Sequence, residues 1–263
     1  MSNDRQQNVR AVLHWSGGKD SALCFYHALR QPGLRLTHLL TTLNEHYRRV
    51  AMHGVRPELL LAQATRMGLP LQPVWLPENP GMAEYEQRMA DALRGLHAAH
   101  GVTASVFGDL HLADLRAYRE QQLGALGLQA TFPLWHKPAR ELLAEFFDLG
   151  FRAVVVCIND QYLDASFCGR ELDRDFLRDL PPGVDLCGEN GEYHSFVYDA
   201  PYFARPIPLR RGERVRRSYQ PAAETREDCY RDQPDPYAAG FWYCDLLLEE
   251  EATEIAPPAI QAT

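Results

Sequence analysis

The sequence predicts an α/β fold, a mostly parallel sheet with helices on both faces followed by a smaller C-terminal α+β lobe. Three observations carry that prediction. From Val9 to about Ile158, short apolar runs alternate with amphipathic stretches of helical period. A glycine pair, Gly17-Gly18, falls where the first strand should hand over to the first helix. After about Asn159 the texture changes to glycine-rich turns and alternating strands.

Taken in order, Val9 to Trp15 reads as a strand, and Ser21 to Arg30 as a helix carrying Ala22, Leu23, Phe25, Tyr26 and Leu29, stopped by Pro32 and Gly33. Leu34 to Leu43 is the second strand. A helix then has Pro57 in its first turn and Gly68 just past its end, with Leu59, Leu60 and Met67 on its apolar side. Leu69 to Leu76 is a strand, and Met82, Tyr85, Met89, Leu93 and Leu96 mark a long helix ending near Gly101. Val102 to Phe107 is a strand that delivers Gly108, Asp109 and His111 to its carboxyl end, followed by Asp114, Arg116 and Glu120. Gln129 to Leu134 adds a strand, and a helix opened by Pro138 runs through Leu143 and Phe147 to Gly150. Phe151 to Ile158 is the most continuous apolar strand, expected to be buried on both faces of the parallel sheet.

Beyond it, Gly169 to Leu180 reads as a helix, and Tyr193 to Tyr198, Ile207 to Val215 and Phe241 to Leu248 as strands. Ala222 to Ala239 reads as a linker. The expected domains are 1–158, 159–250 and a loose tail at 251–263. Arg205, Arg210, Arg211, Arg214, Arg216 and Arg217 make the second lobe locally basic, a pattern read as a solvated strand face in preference to a contact surface.

With 263 residues and a net charge of −8, the chain is sized for a self-sufficient enzyme and is poorly suited to non-specific nucleic-acid binding. Residues 1–8 are polar, without a signal-peptide core, and the longest apolar run, Ala153 to Ile158, is far short of a membrane span. A cytoplasmic protein is expected. The six cysteines (Cys24, Cys157, Cys168, Cys187, Cys229 and Cys244) include no Cys-x-x-Cys pair, which argues against zinc or iron–sulfur ligation.

Ser16-Gly17-Gly18-Lys19-Asp20-Ser21 is the strongest local signal. Adjacent glycines let backbone N–H groups approach a phosphate closely, and the following helix adds its positive end. A Walker A loop is excluded, because Lys19 is followed by Asp20 and Leu13 stands where the early glycine would be. No Gly-x-Gly-x-x-Gly follows a strand either. The six residues resemble the pyrophosphate loop of ATP pyrophosphatases.

A second unusual stretch, Gly188-Glu189-Asn190-Gly191-Glu192-Tyr193-His194-Ser195-Phe196, couples a tight turn to a strand. Alternation would put Glu192, His194 and Phe196 on one side and Tyr193 and Ser195 on the other. Glu192 and His194 then fit metal ligation, handling of an amine, or a plain surface turn.

Together these stretches resemble the diphthine ammonia ligase family, related to the ATP-binding ligases that complete diphthamide on translation elongation factor 2. The resemblance spans about residues 9 to 200. It also rests on Met52-His53-Gly54-Val55 with Glu58-Leu59-Leu60, on Gly108-Asp109 with Asp114 and Arg116, and on Gly169-Arg170; Ser195 stands where the family often has Thr. The resemblance implies a Rossmann-like (HUP-type) adenine nucleotide α-hydrolase-like domain, then a family-specific lobe with the active cleft between them. It implies adenylation of a carboxylate by ATP with release of pyrophosphate, then displacement of AMP by ammonia to leave an amide. ATP would be bound by Ser16, Gly17, Gly18, Lys19, Asp20 and Ser21, with Asp20 also helping to hold Mg²⁺. The catalytic candidates are Lys19, Asp109, Glu189, Glu192 and His194. The implied partners are ATP, ammonia and a carboxylate substrate, with a protein side chain as one form of the last; the oligomeric state stays open. Two alternatives are a tRNA-modifying sulfur-transfer enzyme and a non-catalytic nucleotide-binding protein.

Overall fold

The first sheet grows outward from the strand that precedes the glycine pair. The computed structural model describes residues 8–218 and 240–249. Its first lobe runs β1 (Val9–His14), α1 (Lys19–Ala28), β2 (Leu34–Asn44), β3 (Arg49–Val50), α2 (Pro57–Met67), β4 (Leu71–Leu76), α3 (Met82–His100), β5 (Ala104–Val106), α4 (Ala113–Ala125) and β6 (Gln129–Thr131). β2 pairs parallel with β1 and with β4, β5 pairs parallel with β1 and β6, and the short β3 folds back antiparallel on the end of β2. The chain therefore builds from β1 through β2 to β4 and then returns to the other side of β1 for β5. Such a reversal opens a crevice at the carboxyl end of β1, and Trp15 to Gly18 sit there.

Alternation along β1 explains the two layers. Ala11 and Leu13 join α1 and α2 in one core, with Leu23, Phe25, Leu59 and Leu60. Val12 faces the other way and joins Met89, Leu93 and Leu96 of α3 and Leu123 of α4. Leu59 and Leu60 are fully buried, and each such side chain contributes roughly 1.5–3 kcal/mol. Pro57 opens α2, and Gly68, at φ 66°, closes it in the left-handed conformation that an L side chain disfavours.

The second lobe contains α5 (Ala139–Asp148), β7 (Arg152–Asn159), α6 (Arg174–Asp179), β8 (Tyr193–Asp199), β9 (Leu209–Ser218) and β10 (Gly240–Leu248). Its sheet is antiparallel throughout, in the order β8-β7-β10-β9. β7 is buried along nearly all its length, as its composition predicts, but it lies in this antiparallel sheet and not in the parallel one. A continuous apolar run reports burial on two faces and is silent about strand direction. The outer edge of β8, which would otherwise present unpaired backbone groups, meets the glycine loop: Val197 N–H donates to Gly17 O at 2.9 Å. One core cluster runs from α1 and α2 through α5 into β7 and β8, so the two sheets share an interior.

Two helices differ from the sequence reading. α4 is a full helix over a stretch read only as a run of charged residues, because Leu123 is its only buried side chain and no apolar stripe advertises it. The helix read over Gly169 to Leu180 shrinks to α6, since Gly169 takes φ 82° and Glu171 bridges to Val154 in extended form. Asp173 caps α6 by accepting from Phe176 N–H at 2.7 Å. The linker read at 222–239 and the tail at 251–263 lie outside the described residues. Among the described residues no helix is long and apolar enough to cross a membrane.

Candidate functional site

The glycine loop is held from both lobes. Gly17 adopts φ 80°, and a Cβ there would come within 2.8 Å of Gln63 Oε1; one on Gly18 would lie 3.0 Å from Ser195 O and 3.1 Å from His53 Cε1. Neither position has room for a side chain, so the backbone itself forms the surface. Gln63, fully buried in α2, donates to Gly17 O (3.0 Å) and Val197 O (2.6 Å) and accepts from the Trp15 indole (2.8 Å). Ser195 Oγ accepts from Lys19 N–H at 3.1 Å, and Ser16 Oγ lies 3.3 Å from Ser21 Oγ.

Lys19 is buried at the first turn of α1. Its ammonium donates to Asp20 Oδ2 at 2.7 Å and to Cys187 O, and lies 5.3 Å from the centre of the Tyr193 ring. Burial, the largest single influence, would lower its pKa, but the Asp20 carboxylate together with Tyr193 and Cys187 outweighs it and the net shift is upward. The side chain is a fixed positive charge.

Three carboxylates gather near it. Glu189, reached by Leu110 N–H at 3.4 Å, is pushed up to about 7 by burial and then by the Asp20 charge. Asp109, in ion contact with Arg119 at 2.7 Å, is raised by burial against that pairing, with Asp20 adding to the rise. Asp20, Asp109 and Glu189 therefore feel one another's charge. Such a cluster attracts a small cation, and the member held near neutrality can exchange a proton. Among the described residues no group of three or more His, Cys, Asp or Glu side chains is arranged to hold a metal ion. Mg²⁺ commonly takes one or two protein carboxylates and completes its shell with phosphate and water, and the partly exposed Asp20 suits that role.

Glu192 and His194 do different work from what alternation suggests. Glu192 is buried on the turn before β8, and its carboxylate accepts from Asp185 N–H (3.0 Å), Asn190 N–H (2.9 Å) and Asn190 Nδ2 (3.0 Å). It ties down the segment that carries Cys187 and Glu189. The His194 ring lies 4.6 Å from that of His53, tilted by 34°, and His53 Nδ1 donates to Ser195 O at 3.3 Å. Burial keeps both imidazoles neutral, His53 down at about 4 and His194 well below the usual range. His194 Nε2 is buried without a hydrogen-bond partner among the described residues. Tyr193 and Ser195 both meet Lys19, as the alternation requires.

The loop, Lys19, Asp109 and Glu189 are thus brought together; Glu192 stands behind them and His194 to one side. Arg116 turns away over the Phe132 and Trp135 rings and pairs with Glu120. Gln63, Arg119 and Cys187 O were missed by the sequence reading. Gln63 carried a signal: it is a polar residue on the apolar face of α2, beside Leu59, Leu60 and Ala64.

Residues 9–130 match the family model described as diphthamide synthase N-terminal domain, and residues 138–222 the one described as diphthamide synthase C-terminal domain. The chain belongs to the diphthine ammonia ligase family. Members named diphthine–ammonia ligase align from Danio rerio (32% identity over 113 residues, 40% of this chain and 43% of that protein), Homo sapiens (31% over 141 residues, 48% and 53%) and Schizosaccharomyces pombe (30% over 115 residues, 42% and 19%). The aligned stretch thus spans about half or less of the length of these family members.

Proposed function

We propose that the chain is an ATP-dependent ligase that forms an amide from a carboxylate and ammonia, acting on a diphthine-like acceptor as the names of its relatives suggest. The observation that carries this reading is the meeting of a side-chain-free glycine loop, a fixed ammonium and a carboxylate poised near pH 7 at the end of β1. In the first step an acceptor carboxylate oxygen bonds to the α-phosphorus of ATP and pyrophosphate leaves. Backbone N–H groups and Lys19 are preorganised for the charge that builds on the departing pyrophosphate. Mg²⁺, held through Asp20 and the phosphates, would neutralise part of that charge.

In the second step ammonia bonds to the acyl carbon, the acyl–phosphate bond breaks, AMP leaves and one proton is lost. Ammonium is drawn by Asp20, Asp109 and Glu189; Glu189 takes its first proton to give ammonia, and the second, lost as the amide forms, leaves with the AMP phosphate or to solvent. Glu192 acts behind Glu189, and the neutral His53–His194 pair lines the loop's other side. The nucleotide-binding lobe and the family-specific lobe share the site. We place their boundary in the stretch between β6 and β7, ahead of residue 158, because the strands paired with β7 among the described residues, β8 and β10, belong to the second sheet.

Sulfur transfer fits less well. The five described cysteines, Cys24, Cys157, Cys168, Cys187 and Cys244, are buried, and burial raises the pKa of each, Cys187 to about 12, whereas a transferring thiol needs thiolate character and access. The test is incubation with ATP, ammonium and a diphthine-bearing protein. AMP and pyrophosphate, formed together with an amide, are expected; ADP as the product removes adenylation.

A further inference from the structure

Gln63 is the polar member of the buried face of α2, standing with Leu59, Leu60 and Ala64, and it is fully buried. A primary amide in that position is destabilising unless its polar atoms find partners. Here both ends do. Oε1 accepts from Trp15 Nε1–H at 2.8 Å, and because an indole can only donate, this bond fixes which way the amide faces. Nε2 then meets two carbonyls, Gly17 O at 3.0 Å and Val197 O at 2.6 Å. Two donors and one acceptor at this reach are what glutamine supplies; asparagine is one methylene short, and a carboxylate has no donor.

The bond to Val197 O bears on the loop itself. In a strand pair, a segment that accepts a residue's N–H also returns an N–H to that residue's carbonyl. β8 begins such an exchange with the glycine loop, since Val197 N–H donates to Gly17 O at 2.9 Å. The return bond is missing, and Gln63 holds Val197 O in its place. Among the described residues no loop N–H donates to the β8 backbone. Lys19 N–H goes to the Ser195 hydroxyl and Gly18 N–H to Ser16 Oγ, while the N–H of the buried Gly17 has no acceptor. Buried backbone donors are nearly always paired. One left open in a glycine loop beside a fixed ammonium is a place for a ligand oxygen.

We propose that Gln63 is a positioning residue for the phosphate site: its amide takes the β8 carbonyl that would otherwise draw a loop N–H, and so keeps the Gly17 N–H open for an oxygen of pyrophosphate. It acts from behind the loop. With Val197 N–H and Gln63 Nε2 both on Gly17 O, the planar peptide between Gly17 and Gly18 is held in one orientation. The inference rests on the pyrophosphate-cradle reading of the loop and is independent of the acceptor.

The probe is inorganic pyrophosphate, added to the full chain. Ser16-Gly17 is the one Ser-Gly pair in the sequence, so labelling serine at its carbonyl carbon and glycine at its nitrogen isolates the Gly17 amide resonance. That resonance should move on titration; if it stays in place at millimolar pyrophosphate, the proposal is overturned. Gln63→Met keeps the bulk and removes both donors, and should weaken pyrophosphate binding at least tenfold, measured by calorimetry below the melting temperature of the variant. Gln63→Glu, neutral when buried between two carbonyls, restores one donor, keeps the acceptor for Trp15 and should fall between. It also carries the test where Gln63→Met fails to fold. A role in packing alone would lower the melting temperature and leave pyrophosphate affinity within twofold of wild type in the folded variants, and that result also overturns the proposal. Since neither measurement uses the acceptor, a chain that meets both expectations yet makes no amide on the diphthine-bearing protein loses the ligase reading and keeps this one.

Discussion

The Lys19 ammonium lies 2.7 Å from the carboxylate of Asp20, its neighbour in the chain. The charge waiting at the glycine loop is therefore already balanced, and an incoming pyrophosphate group has to share Lys19 with Asp20. Removing the ammonium leaves Asp20 facing the phosphates alone. Lys19→Ala should slow ATP-dependent pyrophosphate release at least tenfold, about 1.4 kcal/mol of transition-state stabilisation. Unchanged release would sink the role given to Lys19.

Glu189 should set a pH limit. Its carboxyl is raised to about 7 by burial and by Asp20, so the base is lost below that value and amide formation should climb as pH rises through about 7. The stability sign is the opposite. A carboxyl whose folded pKa lies above its unfolded one favours the fold at low pH, and this contribution disappears as pH rises from about 4.5 to 7. Glu189→Gln should flatten the rate profile and stabilise the protein at pH 8 by roughly 1–3 kcal/mol relative to wild type. A variant melting below wild type at pH 8 contradicts the desolvated, charge-crowded setting.

His53 and His194 act in the other direction. Both are held neutral, His53 down at about 4, so unfolded chains take up protons first as pH falls below about 6.5. Stability is present above that value and declines toward pH 4, by at most about 1.4 kcal/mol per pH unit for each imidazole. Because Glu189 gains over the same interval and offsets one of the two imidazoles, wild type should lose at most about 1.4 kcal/mol per pH unit between pH 6.5 and 4.5. His194→Asn should make stability nearly level across that window, read as melting temperature against pH. A steeper acid loss in the variant rules this account out.

The glycine loop was legible because its chemistry is local: six adjacent residues at a strand–helix junction specify backbone and charge together. The parallel order of the first sheet was legible for a similar reason, since β1, β2 and β4 each lead to an amphipathic helix, α1, α2 and α3. What was hidden depends on partners distant in sequence. β7 reads the same whether its neighbours run parallel or antiparallel, and only pairing with β8 and β10 decides. α4 buries little beyond Leu123, so periodicity had nothing to report. Glu192 was misplaced for a third reason, since it precedes the first strand residue, Tyr193, and the two-residue period does not extend into a turn.

That position makes Glu192 the sharpest test of how the second lobe serves the first. Its carboxylate is buried and accepts three hydrogen bonds from Asp185 and Asn190, and the segment it fastens supplies Cys187 O to Lys19 and the Glu189 carboxylate to the cluster. Glu192→Gln keeps the volume but turns an amide donor toward N–H groups, leaving at least one buried donor unsatisfied at a cost of about 1–3 kcal/mol. The melting temperature should fall, and pyrophosphate release and amide formation should fall together, because Lys19 and Glu189 both lose their support. If Glu192 instead met ammonium directly, the variant would keep its melting temperature and its adenylation rate and lose only the amide. Measuring the three quantities on one preparation separates the two cases.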